Sequence, residues 1–150
     1  MNKKLDIRSI KAKETHGVRH PILRAGRPLS SCVFDGDESA TTLHIGAFYG
    51  DKLVGVLSAY EKKHISLKQK NSYQVRGVAV LEDFQNHGIG KKLMAHIEHT
   101  IPHNSMIWLN ARERAANFYR QLNYKQYGDM FMIEPIGWHY CMYKTISHAS

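Results

Sequence analysis

A stretch that could bind an anion lies at residues 85–92, QNHGIGKK, directly after an apolar run. Gly88 and Gly90 lack a Cβ, so a phosphate group can approach the backbone closely there. A strand, a short loop and a helix start together leave unpaired N–H groups at the positive end of the helix dipole. That dipole disfavours Lys91 and Lys92 by about 0.3–1 kcal/mol each unless a polyanion neutralises them. The stretch therefore indicates a polyphosphate site, with a tight turn into a helix as the alternative.

Two common phosphate-binding patterns do not fit this stretch. The Walker pattern G-x-x-x-x-G-K-[ST] would need a glycine in place of Gln85 and a hydroxyl residue in place of Lys92. The dinucleotide pattern G-x-G-x-x-G would need its third glycine in place of Leu93. The order of the residues, rather than the glycines alone, must therefore identify the ligand.

Composition and charge exclude several classes of protein. The chain has 150 residues, which fits a single domain over residues 1–150, and its net charge of +8 fits an acidic partner. The basic residues are scattered and the sequence contains no known nucleic-acid-binding motif, so we expect no nucleic-acid partner. No apolar run is long enough to span a bilayer, and the N-terminal residues do not form a secretory signal. We expect a soluble, cytoplasmic protein without a membrane partner.

Cysteine and histidine spacing does not predict a metal site. Cys32 and Cys141 stand far apart and outside any C-x-x-C pair, so we expect two reduced thiols. His96, His99 and His103 would share one helical face, but Lys92 lies there too and no carboxylate joins them. A solvated helix face is the better interpretation of these histidines.

Hydrophobic periodicity predicts strands and helices without strict alternation of the two. Strands are predicted at residues 5–10, 42–48, 53–60, 73–80, 106–110, 125–134 and 138–146. Helices are predicted at residues 14–25, 88–101 and 113–122, with a loop over 27–41. Gly77 interrupts its strand and predicts a bulge or a close backbone approach. The pattern indicates one central mixed sheet with helices on both faces.

The order of residues around Gln85–Gly90, the glycine loop, resembles a motif of a known family. VAVLEDFQNHGIG matches the acetyl-CoA-binding motif of the GCN5-related N-acetyltransferases (GNAT), Q/R-x-x-G-x-G/A after a strand. Residues 110–124, NARERAANFYRQLNY, resemble the next hallmark of that family, an asparagine at a strand end and a helix carrying Ala and then Phe-Tyr. Asn123 stands where the family has glycine, and asparagine tolerates the same left-handed backbone. The tail IEPIGWHYCMYK resembles small bacterial members, so the resemblance covers most of the chain.

The resemblance implies both a fold and an activity. The fold is α+β: a mixed, mostly antiparallel sheet of six to seven strands with helices on both faces and a V-shaped splay between the fourth and fifth strands. The activity is acetyl-CoA-dependent N-acetyl transfer, and the alternative is a CoA-binding sensor of the same fold without turnover. The residues implied to bind the cofactor are Val78, Ala79, Val80, Gln85, Asn86, His87, Gly88, Ile89, Gly90, Lys91, Asn110 and Tyr119.

The resemblance also implies catalytic roles. Tyr119 would protonate the leaving CoA thiolate, since phenol and thiol have pKa values close enough for transfer. A backbone N–H near Val78 would stabilise the carbonyl oxygen. Gln74 occupies the position of the glutamate base of histone-type members and cannot take up a proton usefully. His139 and Glu134 therefore remain as base candidates, together with a relay through water.

The acceptor is implied to be a small-molecule or peptide amine, and the family allows a homodimer. The variable segments expected to line its pocket are residues 14–41, 61–72 and 128–140. These segments hold Arg19, His20, Arg24, Arg27 and Trp138. Such residues would suit an acidic or an aromatic acceptor.

Overall fold

Residues 4–67 and 69–147 are described by a computed structural model. The strands are β1 Leu5–Ser9, β2 Leu43–Tyr49, β3 Lys52–Glu61, β4 Ser72–Val80, β5 Met106–Arg112, β6 Lys125–Ile133 and β7 Gly137–Thr145. The α-helices are α1 His16–Leu23, α2 Ile89–Thr100 and α3 Ala116–Gln121. Within this described part, the strands form one seven-stranded sheet in the order β1-β2-β3-β4-β5-β7-β6.

The sheet is mixed, as predicted. The antiparallel pairs are β1 with β2, β2 with β3, β5 with β7, and β6 with β7. β4 pairs parallel with β5, through Ser72–Gln74 beside Met106–Trp108, the first three residues of each strand. Mixed pairing of this kind confirms the predicted α+β class. The splay predicted for the rest of the two strands stays a prediction.

The chain divides into two compact units. Unit 1 takes in Met1–Tyr60 and Val75–Thr100, and unit 2 takes in Glu61–Gln74 and Ile101–Ser150. The single N-acetyltransferase domain predicted over 1–150 stays a prediction. No helix in the described residues is long and apolar enough to cross a membrane.

In unit 1, α1 and α2 lie on opposite faces of the strands. Val56 of β3 packs in a buried cluster with Val18 of α1. The neighbouring Gly55 faces the other way, because a Cβ there would lie 3.0 Å from Ile89 Cγ2 and 3.3 Å from Leu93 Cδ1 of α2. Since successive strand residues point to opposite faces, helices cover both faces of these strands, as predicted.

The apolar spacing of α2 explains why it forms and how it is held. Ile89, Leu93, Met94 and Ile97 recur at helical intervals and are all buried. Full burial of each such side chain contributes about 1.5–3 kcal/mol. α2 therefore has a firm apolar anchor directly behind its first turn, which follows the glycine loop.

Unit 2 is built on β5 and β7. Ile107 and Leu109 of β5 are almost fully buried on one face. On the other face, Met106 and Trp108 cluster with Cys141 of β7. β5 therefore has no face turned fully to water, which explains its continuous apolar sequence.

The predicted helices are shorter than expected. α1 follows a 3₁₀ turn at Ala12–Thr15, and α3 follows a 3₁₀ turn at Glu113–Ala115. A further 3₁₀ turn at Leu29–Cys32 lies in the segment predicted to be loop. Asn123 adopts the left-handed backbone predicted for it, with φ of 72°.

Candidate active site

The first turn of α2 presents backbone amides that have no acceptor within the helix or in the hydrogen bonds of the described residues. The N–H of Lys92 donates to Gly88 O at 3.1 Å and is the first amide to close a helical ring. The amides of Ile89, Gly90 and Lys91 precede it and have no acceptor within the helix. Ile89 is buried and Lys91 is exposed, so the amides stand between an apolar anchor and water. This geometry suits an anion.

Two left-handed residues shape the loop before α2. Asn86 has φ of 66° and Gly88 has φ of 78°. A Cβ built on Gly88 would meet nothing within 4 Å, so the space in front of this residue is open. The backbone at Gly88 is therefore open to an approaching group, and the phosphate contact expected there stays a prediction.

Gln85 fastens the loop to the end of β4. Its Nε2 donates to Val80 O at 2.9 Å, and its backbone N–H donates to Glu82 O at 3.2 Å. Because the Gln85 amide already has an acceptor, this residue would shape the loop rather than contribute an amide. His87 Nδ1 lies 3.2 Å from Phe84 O and closes the same turn.

The last residues of β4 offer their backbone more than their side chains. Ala79 is buried, and Val78 and Val80 are half-buried. Gly77 has φ of 67°, which agrees with the irregularity predicted for this strand. Contacts from Val78–Val80 to a pantetheine arm would therefore be backbone contacts, and they stay a prediction.

Tyr119 is a buried aromatic side chain of unit 2. Only 8% of it is exposed. Its ring packs edge to face against Phe118 at 4.9 Å and Tyr124 at 5.9 Å between centroids. Burial raises the pKa of Tyr119 above its ordinary value, so the phenol stays protonated. A protonated phenol is the form that a general acid requires.

His139 is buried on β7, where its ring is oriented by the backbone. Its Nδ1 lies 2.7 Å from Gly137 O, so Nδ1 carries the hydrogen and donates it. The lone pair is then at Nε2. Phe131 lies beside the ring, with 6.0 Å between centroids. This arrangement gives His139 one nitrogen able to accept a proton.

The structure does not bring Glu134 beside His139. Ile133 and Gly137 are the last registered pair of the β6–β7 hairpin, and Glu134 lies in the turn beyond them. His139 pairs with Phe131, two residues further back along the ladder. Glu134 is exposed and His139 is buried, so the two candidate bases have different surroundings.

A pocket of about 430 Å³ lies in unit 2. It is lined by Lys62, Lys63, His64, Ile65, Trp108, Asn110, Tyr127, Gly128, Phe131 and Cys141. Asn110 is the one predicted cofactor residue in this lining, and it stands opposite Cys141 in the β5–β7 register. The loop residues 62–65 fall in a segment that the sequence assigned to the acceptor pocket.

A neutral His–Cys pair lines this pocket and was missed by sequence reasoning. His64 Nδ1 accepts from the amides of Ser66 at 2.9 Å and Leu67 at 3.1 Å, so the ring hydrogen is on Nε2. That nitrogen lies 3.5 Å from Cys141 Sγ. Burial lowers the pKa of His64 and raises the pKa of Cys141, so neither group ionises readily. Nothing near His64 in the sequence signals this contact.

The cysteines and histidines form no metal centre in residues 4–67 and 69–147. No group of three or more His, Cys, Asp or Glu side chains there could hold a metal ion. Cys32 and Cys141 are both buried free thiols. The prediction of two reduced cysteines is confirmed.

Arg19 corrects an expectation about the acceptor. The sequence predicts it among residues that would suit an acidic or an aromatic acceptor, but its side chain is fully buried. It forms an ion pair with Asp37, 2.7 Å between Nη1 and Oδ2. His20 is also engaged, with Nε2 2.8 Å from Arg27 O. Sequence periodicity placed Arg19 on a helix but could not foresee that its partner lies in a distant loop.

Comparison with known proteins identifies the family. Residues 10–124 match the model of the Acetyltransferase (GNAT) family. YitI of Bacillus subtilis, named an uncharacterized N-acetyltransferase, is 31% identical over 144 residues, which are 95% of this chain and 97% of YitI. The chain belongs to the GNAT family. It is therefore an N-acetyltransferase that depends on acetyl-CoA.

Solved structures show that the fold is a GNAT fold. An aminoglycoside 6'-N-acetyltransferase complexed with coenzyme A aligns with a TM-score of 0.75 at 16% identity, covering 97% of this chain and 99% of that one. NAA60 of Arabidopsis thaliana in complex with acetyl-CoA aligns with a TM-score of 0.74 at 13% identity, covering 95% and 99%. At these identities the likeness concerns the fold. The GNAT family match extends to residue 124, so β6 and β7 lie beyond it.

Proposed function

We propose that this GNAT protein transfers an acetyl group directly from acetyl-CoA to the primary amine of a small-molecule or peptide acceptor. The observation that carries the proposal is the set of unpaired amides at Ile89, Gly90 and Lys91, behind the open approach at Gly88. These groups fit a pyrophosphate, because they combine backbone donors, the helix dipole and a nearby lysine charge.

The residues of unit 2 provide the proton transfers. Bound acetyl-CoA supplies the acetyl group as a thioester, which the acceptor nitrogen attacks. Tyr119 donates its proton to the sulfur as the C–S bond breaks. Burial raises its pKa, which keeps the phenol protonated until then but makes it a weaker acid than a free phenol, so the negative charge developing on the sulfur must drive the transfer. His139 takes the proton from the amine at Nε2, directly or through water. Glu134 is the weaker candidate, since an exposed carboxylate in a turn is poorly placed for a dry reaction site.

Labelled acetyl transfer tests this proposal. The protein is incubated with acetyl-CoA carrying a deuterated acetyl group and a panel of primary amines, and free thiol and acetylated amine are both measured. We expect equal amounts of thiol and labelled product, with no label on the denatured protein. Label on Cys141 or on any other side chain would contradict direct transfer. Binding of acetyl-CoA without amine-dependent thiol release would instead support a sensor.

A further inference from the structure

Both carboxylate oxygens of Asp37, in unit 1, accept hydrogen bonds from Arg19 and from one further donor each. Its Oδ2 lies 2.7 Å from Arg19 Nη1, and its Oδ1 lies 3.2 Å from Arg19 Nη2. Tyr60 donates its hydroxyl to Oδ1 at 2.5 Å, and the Phe34 amide donates to Oδ2 at 2.9 Å. This carboxylate therefore neutralises Arg19 and has little capacity left for another cation.

Further arginines converge beside this pair on the ring of Phe34. The Cζ atoms of Arg19, Arg24 and Arg76 lie 4.0, 5.0 and 4.8 Å from its centroid. Arg24 and Arg76 are half-buried and therefore reachable from water. Neither forms an ion pair with a carboxylate within residues 4–67 and 69–147. The cluster around Phe34 thus holds two guanidinium charges that no acidic group balances.

The protein bears an electrostatic cost for this arrangement. The pKa of Arg24 is lowered, first by its partial burial and then by the positive charges of Arg27, Arg76 and Arg19. Like charges held together on an aromatic ring repel, and an oxyanion between them would remove that repulsion. Planar guanidinium groups bind carboxylate and phosphate through paired hydrogen bonds. The cluster has the chemistry of a binding site for such a group.

The cluster touches β4 directly before the residues expected to contact the cofactor. Arg76 precedes Gly77, and a Cβ on Gly77 would lie 3.1 Å from the Phe34 ring and 3.2 Å from Arg19 Nε. Arg19 Nε is buried and has no hydrogen-bond partner in the described residues, so an unused donor stands beside Gly77. Val78 follows at once in the chain. The unbalanced charges therefore lie one or two residues from the strand segment implicated in acetyl transfer.

We propose that Arg24 and Arg76 bind an oxyanion group, a carboxylate or a phosphate, of the amine acceptor. Phe34 holds the two guanidinium groups in position. The buried Arg19–Asp37 pair holds Phe34 in turn, because Arg19 stacks on its ring and Asp37 accepts from its amide. This inference rests on the proposed function, because it names the acceptor class: a primary amine that carries an anionic group.

Direct titration tests the anion site without any acetyl transfer. CoA is kept saturating, so that the glycine loop is occupied, and inorganic phosphate and acetate are titrated separately by calorimetry. We expect saturable binding of at least one anion, weakened at least about tenfold in Arg24→Gln and in Arg76→Gln. The preferred anion distinguishes a phosphate from a carboxylate group. Absence of saturable binding in the wild type, or binding in both variants that is as strong as in the wild type, would overturn the inference.

A matched control separates this site from general charge effects. Arg8 also stacks on a phenylalanine, 4.4 Å from the Phe48 centroid, but it is paired with Asp6. Arg8→Gln should leave phosphate and acetate binding unchanged. Arg76→Lys should recover part of the binding lost in Arg76→Gln, because it restores the charge. Circular dichroism checks that each variant is folded.

Kinetics then test the acceptor class. Amines are compared in matched pairs: β-alanine with β-alanine amide, and 2-aminoethyl phosphate with ethanolamine. We expect kcat/KM at least about tenfold higher for the charged member, with the advantage lost through KM in Arg76→Gln. Equal rates within both pairs would overturn the inference and leave the proposed function standing. If no amine accelerates thiol release, the proposed function fails, and the calorimetric titration still decides the anion site.

Discussion

The glycine loop and the two residues Tyr119 and His139 differ in the groups they offer for chemistry. The loop offers exposed backbone amides, whereas Tyr119 and His139 offer buried side chains. Residues 85–88 of the loop and Lys91 in the first turn of α2 are exposed, and the donors offered there are backbone amides. Tyr119 and His139 are buried, with 8% and 4% of their surface accessible. Their proposed reactive atoms belong to side chains that aromatic neighbours and a backbone carbonyl orient.

The difference teaches how each region should respond to substitution. A backbone site depends on φ angles and on room for the ligand, so loss of a side chain there matters less than gain of a Cβ. A side-chain site depends on one atom in one protonation state, so removal of that atom should affect turnover while leaving cofactor affinity intact.

Tyr119→Phe should produce the largest effect on turnover. Loss of a general acid lowers kcat by about 10²–10⁴-fold, and we expect about 10³-fold here. The KM for acetyl-CoA should change little, because the ring and its packing remain. Stopped-flow or steady-state thiol release provides the measurement.

Tyr124→Phe is the matched control for Tyr119. It removes a hydroxyl from a buried tyrosine that packs against Tyr119 in the same unit. Its kcat should stay near that of the wild type. An equal loss of kcat in both variants would show that the effect comes from packing, and it would remove Tyr119 from the mechanism.

Gly88→Val should weaken acetyl-CoA binding by about 100-fold, which corresponds to about 2.7 kcal/mol. The new side chain would enter the open space before the unpaired amides and would strain a residue whose φ is 78°. Gly26→Val is matched to it, since Gly26 has φ of 79° and open space around it. Calorimetry should show wild-type affinity for acetyl-CoA in Gly26→Val. Weak binding in both variants would point to global strain.

Asp37→Asn should reduce stability by about 2 kcal/mol at pH 7, since it leaves buried Arg19 without a counter-charge while the amide keeps part of the hydrogen bonding. Burial alone would raise the pKa of Asp37, but hydrogen bonds from Arg19, Tyr60 and the Phe34 amide, with the Arg19 charge, hold that pKa below its ordinary value. The carboxylate therefore stabilises the fold at pH values above about 4, and this contribution is lost as the pH falls through the depressed pKa.

Thermal unfolding between neutral and acid pH measures the Asp37 effect. The gap in Tm between wild type and Asp37→Asn should be full at neutral pH and should narrow in acid. Asp6→Asn is the exposed control, because the Asp6–Arg8 pair is solvated and should contribute little. A gap that stays constant with pH would mean that the charge of Asp37 is not what stabilises unit 1.

His139→Asn should have the smallest effect, about a tenfold loss of kcat/KM, because water can carry the proton in its place. Glu134→Gln changes the other base candidate in an exposed turn and should leave kcat/KM unchanged. The two variants are compared by amine-dependent thiol release at saturating acetyl-CoA. A greater loss in Glu134→Gln would reverse the assignment of the base.

Local features of the site could be predicted because their causes are local. The left-handed backbone at Asn123 and the helix after Gly88 follow from which residues tolerate which φ angles. The buried face of α2 follows from its apolar period. The 3₁₀ turn at Ala12–Thr15 was missed because tertiary packing selects between tight and regular helical turns, and periodicity does not separate them.

Long-range features could not be predicted in the same way. His64 and Cys141 are separated by 77 positions, and no spacing rule connects them. Arg19 was expected to be available to a substrate, but Asp37 and Tyr60 enclose it. Burial and charge balance depend on which distant residues arrive at the same place.

By itself the sequence determined the GNAT family, the order of the strands and helices, and the glycine loop with amides ready for an anion. These properties depend on φ preferences, helix ends and apolar periods, which act between near neighbours in the chain. Only the tertiary structure decided that Arg19 is neutralised by Asp37, while Arg24 and Arg76 beside Phe34 form no ion pair among the described residues. The reason is physical: a charge is satisfied or unsatisfied according to what folding packs against it, and that depends on the whole unit.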